Sequence, residues 1–96
     1  MSTRSVKRTL TVTNRCGVHA RVGMILAKKA GEFVSDIKLL KGSYAADCRS
    51  VLDLLALGAF QGDRLELLVS GVDADDAADA ITALFDSGFY EEKEAM

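Results

Sequence analysis

The 96-residue sequence contains no tryptophan, one histidine, two cysteines and no long apolar run. Its longest uncharged apolar segment covers residues 54–60, far short of the roughly 20 residues that a membrane-spanning helix needs, and residues 1–8 lead into no signal-peptide core. Cys16 and Cys48 are too few for a disulfide framework, and their spacing matches no zinc site. We therefore expect a cytoplasmic protein with reduced thiols and without a bound metal, a cofactor or a membrane anchor.

Aromatic residues and net charge are also low, and both argue against a nucleic-acid-binding protein. Two tyrosines and four phenylalanines leave few platforms for stacking bases. The net charge of −2 conceals an asymmetry, because nine basic and two acidic residues precede position 42, whereas three basic and twelve acidic residues follow. Two solvated faces of opposite sign explain this pattern; alternatively, the basic half binds an anion or an acidic partner. Nucleic acid bound to the basic half is a further alternative, which predicts salt-sensitive binding.

Apolar periodicity predicts seven secondary-structure elements in the order β-α-β-β-α-β-α. The predicted strands span 6–13, 34–41, 44–47 and 64–70. The predicted helices span 20–30, 50 to 58 or 62, and 73–88. Arg8 interrupts the apolar face of the first strand.

The half-polar strands fit an antiparallel sheet, because such sheets tolerate one face in water. We predict a single α+β domain over 1–96 with an open-faced β-sandwich architecture. Its four-stranded antiparallel sheet is covered on one face by three helices. Residues 1–5 and 91–96 are expected to fray at the two ends.

Two of the predicted helices begin with capping signals. Ser50 and Asp53 have the Ser-x-x-acid spacing of a capping box, which predicts an N-cap at Ser50. Asp73 is the predicted N-cap of the last helix, whose first turn contains Asp75 and Asp76. Acidic side chains are favourable there because they complement the positive end of the helix dipole.

The single histidine lies between a glycine-containing loop and the first predicted helix, in Gly17-Val18-His19-Ala20-Arg21. A helix N-terminus offers free N–H donors and a partial positive charge, which favour a bound phosphate. A neutral imidazole keeps a nucleophilic lone pair there, so His19 is suited to accept a phosphoryl group. The guanidinium of Arg21 can pair with two phosphate oxygens. Judged from one histidine beside one arginine alone, a helix-cap or surface histidine is the simpler interpretation.

The segment Gly17-Val18-His19-Ala20-Arg21 resembles the Gly-Leu-His-Ala-Arg-Pro signature of HPr, the histidine-containing phosphocarrier of the bacterial phosphoenolpyruvate-dependent phosphotransferase system. The resemblance extends from Lys7 to Tyr90. It includes further segments in the same order: Phe33, Arg49-Ser50, Leu57-Gly58, Gln61-Gly62-Asp63 and Gly71-Val72-Asp73. Residues 83–89 are more similar to the nitrogen-related branch, NPr, than to the sugar-transport branch.

This resemblance implies an open-faced β-sandwich and a stoichiometric carrier, not an enzyme with turnover. It implies that enzyme I phosphorylates His19 on Nδ1, that Arg21 stabilises the phosphoryl group, and that EIIA-type domains accept it. Val22 stands where the family usually has proline, and Gly23 where alanine is common. Proline in the first helical turn fixes φ and has no N–H, so we expect Val22 to alter transfer rates while the chemistry is preserved.

Ser50 is a second candidate phosphorylation site. The segment Arg49-Ser50-Val51-Leu52 resembles the Lys-Ser-Ile-Met of family members whose serine is phosphorylated by a dedicated ATP-dependent kinase. Asp53 replaces a frequent glycine and would repel a phosphate on Ser50. A helix N-cap role alone also explains this serine.

The resemblance also implies a partner-binding surface around His19. Its predicted members lie on or beside the first two helices: Ala20, Met24, Lys28, Arg49, Val51, Leu52 and Leu55. Core packing is the alternative for the apolar ones. A shallow apolar patch with a basic rim would serve enzyme I and an EIIA domain in turn. The alternative function is a regulatory protein that docks on a transcription factor or an enzyme according to its phosphorylation state, and we expect a monomer in either case.

Overall fold

The computed structural model describes residues 4–90 and contains the predicted β-α-β-β-α-β-α order. The strands are β1 Ser5–Thr11, β2 Asp36–Lys41, β3 Tyr44–Asp47 and β4 Arg64–Ser70. The helices are α1 Ala20–Ala30, α2 Val51–Ala56 and α3 Ala74–Asp86, and a 3-10 turn, Gly88–Tyr90, follows the last one. Within residues 4–90 no helix has the length and apolar character needed to cross a membrane.

The four strands form one antiparallel sheet in the order β1-β4-β2-β3, which confirms the predicted fold. The register aligns Leu65 of β4 with Leu10 of β1, and Leu67 of β4 with Leu39 of β2. These four leucines are all buried, so one face of the sheet is apolar. The three helices cover that face, as the alternating pattern predicts.

The other face of the sheet is mostly polar, with the half-buried Leu40 and Leu68 among its charged side chains, and is open to water. Lys7 and Glu66, on neighbouring strands, form an exposed ion pair of 3.6 Å across this face. The core therefore lies between the sheet and the helices. Its largest fully buried side chains come from both layers: Phe85, Phe89, Leu26, Ile37, Leu39, Leu54, Leu65, Leu67, Ile81, Val12, Val22 and Val69.

Arg8 lies on the helix-covered face of β1 without being isolated in the core. Its guanidinium pairs with Asp79 at 2.8 Å and donates to the hydroxyl of Thr82 at 3.2 Å, both on α3. The interruption of the apolar face is thus a polar link between the edge strand and the last helix. A partner 74 residues away cannot be identified from a local pattern.

Several predicted boundaries differ from the observed ones because backbone groups find other partners. β1 ends at Thr11, two residues early, where Val12 donates to the carbonyl of Asp63 at 2.9 Å and accepts from Gly62 at 2.8 Å. β2 begins at Asp36 because the amides of Val34 and Ser35 donate to the carboxylate of Asp73, each at 3.0 Å.

Asp73 therefore does not cap α3 with its side chain, although it occupies the N-cap position. Its carboxylate instead fastens the α1–β2 loop, where it also accepts a hydrogen bond from the Ser35 hydroxyl. The predicted side-chain cap is wrong for this reason. These hydrogen bonds, first that from the Ser35 hydroxyl and then that from the Val34 amide, hold the pKa of Asp73 below its usual value.

The predicted fraying falls mainly outside the described residues, since 1–3 and 91–96 are not part of them. Arg4 and Ser5, which were included in the prediction, are held in place. Ser5 begins β1, the carbonyl of Arg4 accepts from Gly71 at 2.9 Å, and the Arg4 guanidinium pairs with Asp75 at 2.9 Å.

Candidate functional site

The loop that precedes α1 is fixed by hydrogen bonds on both sides. Within the loop, the buried Asn14 side chain donates to the carbonyl of Gly17 at 2.8 Å. Across the molecule, the amide of Val18 donates to the carbonyl of Ala59 at 3.0 Å. Residue 19 therefore leaves the loop from a defined position.

Gly17 is required by this close approach. It has a φ of +68°, and a Cβ atom built on it would lie 2.4 Å from the carbonyl oxygen of Ala59 and 2.9 Å from the Cα of Phe60. An L side chain is therefore excluded on two grounds, the left-handed backbone and the neighbouring main chain. Only glycine lets the loop lie against residues 59–60.

His19 is the N-cap of α1, with an extended backbone (φ −105°, ψ −172°). Its carbonyl accepts the first intrahelical hydrogen bond, from Gly23 at 2.8 Å. Its Nδ1 atom accepts a hydrogen bond from the amide of Arg21 at 3.3 Å. In a neutral imidazole, Nδ1 then holds the lone pair and Nε2 the proton. The nucleophilic nitrogen thus faces the amide groups at the start of the helix.

The electrostatic surroundings of Nδ1 favour an anion. The first turn of α1 contains no acidic side chain, so its positive end is not neutralised by its own residues. Arg15 in the preceding loop and Arg21 in the first turn are both exposed. The amides of the first turn lie before the intrahelical ladder begins. A phosphoryl group on Nδ1 would meet N–H donors and positive charge together.

An exposed apolar surface lies where α1 and α2 meet. The helices approach at Gly23, where a Cβ would lie 3.3 Å from the Cγ1 of Val51. The following residue of each helix points into solvent, with Met24 63% and Leu52 78% exposed. Leu55 is 39% exposed. These three side chains are therefore not core residues, while the half-buried Val51 is shared between the helix contact and the surface.

The remaining predicted surface residues lie at different distances from the histidine. Ala20, the first residue of α1, is exposed directly beside it. Lys28 is in the last turn of α1, about 13 Å further along the helix axis. The Arg49 guanidinium donates to the carbonyl of Phe33, beyond the C-terminal end of α1. The structure therefore does not bring Lys28 or Arg49 to the imidazole.

Ser50 is the N-cap of α2, as its spacing predicts, and its hydroxyl accepts from the amide of Asp53 at 3.2 Å. The second hydrogen bond of a capping box, from the Ser50 amide to the Asp53 carboxylate, is not formed. The Asp53 carboxylate accepts instead from the amide of Asp47 at 3.2 Å, while the Ser50 amide donates to the carbonyl of Asp47 at 2.9 Å. The Ser50 hydroxyl is thus engaged in a cap beside two aspartates.

Phe60 is 65% exposed and is not among the site residues predicted from the sequence. It lies in the segment 58–63, whose main chain contacts Gly17 in the loop 12–19 before α1, which we call the histidine loop. The Phe60 ring centroid lies 5.5 Å from the Nζ of Lys41. The signal for it was an aromatic residue in a polar turn, Phe60-Gln61-Gly62-Asp63. Its position became evident only from the contact with Gly17.

The two cysteines differ in burial, since Cys16 is half-buried and Cys48 is buried. Both are free thiols, and burial raises the pKa of Cys48 to about 12, so it is inert at neutral pH. Across residues 4–90 no group of three or more His, Cys, Asp or Glu side chains could hold a metal ion.

Comparisons with known proteins agree with the geometry. The family model PTS-HPr, described as the PTS HPr component phosphorylation site, matches residues 6–87. The chain is 43% identical over 86 residues to phosphocarrier protein NPr of Shewanella violacea, and the alignment covers 90% of this chain and 94% of that protein. It is 38% identical over 87 residues to phosphocarrier protein HPr of Treponema pallidum, with coverage of 91% and 99%.

Solved structures resemble the whole fold. HPr-C-His from Thermoanaerobacter tengcongensis superposes with a TM-score of 0.86 at 30% identity, covering 91% of this chain and 98% of that chain. The phosphocarrier protein HPr from Bacillus anthracis superposes with a TM-score of 0.80, and its 23% identity supports the fold alone.

Proposed function

The chain belongs to the HPr family of phosphocarrier proteins of the phosphotransferase system, and from this premise we propose that the Nδ1 atom of His19 is the atom that carries the phosphoryl group. The observation that supports this most directly is the hydrogen bond from the Arg21 amide to Nδ1. It directs the lone pair of Nδ1 toward the helix N-terminus. The other ring nitrogen keeps the proton in the neutral ring.

The proposed loading step needs no general base. The Nδ1 lone pair attacks phosphorus in line with the donor nitrogen of phospho-enzyme I, the new N–P bond forms at His19, and the donor N–P bond breaks. The donor imidazole leaves with the electron pair of that bond. Unloading to an EIIA-type domain is the same step with His19 as the leaving group. The protein is thus a stoichiometric intermediate with a phosphohistidine.

Loading changes the hydrogen bonding at the start of α1. Once the lone pair of Nδ1 forms the N–P bond, it cannot accept from the Arg21 amide. A phosphoryl oxygen replaces it as the acceptor, and the other amides of the first turn add donors. The guanidinium of Arg21 can hold two of the oxygens, because its planar N–H groups match their spacing. Arg21 therefore stabilises the loaded state through both its main chain and its side chain.

The partner surface that we propose is formed by Ala20, Met24, Val51, Leu52 and Leu55, in contact with enzyme I and with EIIA-type domains in turn. Exposed apolar side chains around a reactive atom are suited to transient association, since they exclude water from the transfer step. Lys28 and Arg49 supply positive charge at its edge and steer an acidic partner. This exchange between protein partners fits a cytoplasmic location.

We assign Ser50 a structural role first. A phosphate on its hydroxyl would displace the cap on the Asp53 amide and would lie near the carboxylates of Asp47 and Asp53. Regulation through a serine kinase therefore requires a partner with enough positive charge to offset this repulsion. The curated relatives include both HPr and NPr phosphocarriers, so they do not favour a purely regulatory function over the carrier function.

The test of the carrier assignment is phosphorylation by enzyme I with phosphoenolpyruvate and Mg²⁺, followed by intact mass. We expect one acid-labile phosphoryl group that is absent from His19→Ala, because this is the only histidine in the chain. Arg21→Ala should lower the rate by roughly tenfold to a hundredfold, because a hydrogen bond to a charged group contributes about 1.5–3 kcal/mol. Arg64→Ala is the matched control, since Arg64 is exposed at the start of β4. Labelling of the folded His19→Ala variant would contradict the assignment.

The test of the surface is the concentration dependence of the same reaction. Leu52→Ser should raise the KM for the carrier without altering folding, because Leu52 is 78% exposed. Val72→Ser is the control, an equally exposed side chain (84%) in the loop before α3. Equal KM values for both variants would exclude Leu52 from the interface.

A further inference from the structure

One ammonium group in the described chain links three parts of the segment 58–63, which supports the histidine loop. Lys41, the last residue of β2, donates from Nζ to the carbonyl of Gly58 at 2.6 Å. The same Nζ lies 3.0 Å from the carboxylate of Asp63 and 5.5 Å from the ring centroid of Phe60. Gly58 and Asp63, the two ends of the segment, therefore both contact Lys41 at the end of β2.

Asp63 closes the segment on itself. Its carboxylate accepts from the amide of Phe60 at 2.9 Å, and its own amide donates to the carbonyl of Phe60 at 2.9 Å. The hydrogen bonds from the Phe60 amide and from Lys41 lower the pKa of Asp63, so the carboxylate is charged at neutral pH. Lys41 and Asp63 are about one-third exposed, at 37% and 32% of their side chains, which leaves them only partly screened by water.

Besides the main-chain bonds of Val12 to Gly62 and Asp63, this closed segment contacts the histidine loop at two further points. The buried Ala59 accepts from the amide of Val18, the residue directly before His19, and its carbonyl lies against Gly17. The side chain of Gln61 donates to the carbonyl of Thr13 at 3.1 Å, near the start of the same loop. A shift of residues 59–61 would therefore move the loop and the imidazole together.

We propose that Lys41 and Asp63 are positioning residues for His19: they fix the segment 58–63, and through Ala59 they set the direction of Nδ1 relative to the first turn of α1. The proposal rests on the carrier role proposed for His19. Neither residue touches the phosphoryl group. Their effect is on the geometry of transfer within the complex, where a displacement on the order of 1 Å can cost up to a hundredfold in rate.

The experiment measures phosphorylation of the purified full chain by enzyme I at several carrier concentrations. Lys41→Met keeps the length of the side chain and removes the charge, and Asp63→Asn removes the charge at the other end of the pair. We expect each to lower kcat by about tenfold with KM changed by less than about twofold, because orientation and not docking is affected. Lys41→Arg should restore at least part of kcat.

The matched control is Lys38→Met, on the same strand. Lys38 pairs at 4.0 Å with Asp36 and has no contact with the segment 58–63 among the described hydrogen bonds and ion pairs. It should retain the wild-type kcat. The second readout is the ¹⁵N shift of the His19 imidazole in the unphosphorylated protein. This ¹⁵N shift should differ from the wild-type value in Lys41→Met and Asp63→Asn, and should equal it in Lys38→Met.

The ¹⁵N shift is measured on folded protein, so it decides the proposal even where a variant is less stable. Folded Lys41→Met and Asp63→Asn with wild-type kcat and an unmoved ¹⁵N shift would overturn it. So would an equal loss of kcat in Lys38→Met. Failure of the carrier role is distinct, because wild-type protein would then take no label at His19 at all.

Discussion

Alanine substitution at Gly17, with Gly42 as the control, tests whether the contact between the histidine loop and the main chain of residues 59–60 requires glycine. Both glycines have a left-handed backbone, with φ of +68° and +60°. A Cβ on Gly42 would have no heavy atom within 4 Å, whereas a Cβ on Gly17 would lie 2.4 Å from the carbonyl oxygen of Ala59. The two substitutions therefore share the backbone penalty and differ in the clash.

The magnitudes follow from these two contributions. An L residue in the left-handed region costs about 1–2 kcal/mol, which is the whole effect expected for Gly42→Ala. In Gly17→Ala the new methyl would lie about 1 Å too close to main-chain atoms of residues 59–60, so the backbone must shift to make room. Forced repacking of this kind typically adds about 1–3 kcal/mol. We thus expect a loss of about 2–5 kcal/mol for Gly17→Ala, a large part of the stability of a small domain.

The assay is urea unfolding with a check that the m value is unchanged, so that the midpoint reports stability alone. In folded Gly17→Ala, the hydrogen bond from Val18 to Ala59 should also be lost, which shows as faster exchange of the Val18 amide. Phosphorylation by enzyme I should slow in this variant and not in Gly42→Ala. Equal destabilisation by the two substitutions would refute the close approach as the reason for glycine at 17.

Three further predictions concern other parts of the fold. Phe89→Ala should destabilise by about 3–5 kcal/mol in urea unfolding, because it empties a fully buried site; a loss under about 1 kcal/mol would contradict that packing. Ser50→Ala should cost about 1 kcal/mol through the lost cap on the Asp53 amide, with the labelling of His19 unchanged. Asp73 has a lowered pKa in the folded state, so its stabilising contribution is present above the unfolded value of about 3.9 and is lost as pH falls through the folded value. Asp73→Asn should therefore be less stable than wild type at pH 7, with the gap narrowing below about pH 4, and a gap independent of pH would exclude this linkage.

Much of the fold was predictable because its signals are local. The alternation in 64–70 gives β4 with its bounds unchanged, and the Ser-x-x-acid spacing gives the cap at Ser50. The start of α1 at Ala20 was also predictable, and with it the position of His19 at a helix N-terminus. These features depend on residues within one turn or one strand of each other.

The features that sequence analysis missed depend on partners far along the chain. Asp73 has the residue type of an N-cap, yet its carboxylate is used by amides 38 and 39 residues away. Lys41 similarly contacts Gly58, 17 residues later, and charge patterning alone assigns it only to a basic half. Tertiary hydrogen bonds compete with local ones and override them where the fold brings a better donor close.

With the phosphoryl group on His19 as proposed, its N-cap position explains how the chain would be loaded and unloaded without refolding. Unloaded, the Nδ1 atom satisfies an amide of the first turn, a contribution of about 1 kcal/mol for a typical cap. Loaded, that acceptor is lost, but a phosphoryl dianion at the positive end of α1 contributes about 0.3–1 kcal/mol or more and brings new acceptors for the same amide. The two contributions nearly offset each other. We therefore expect the stability of the fold to change little with phosphorylation of His19.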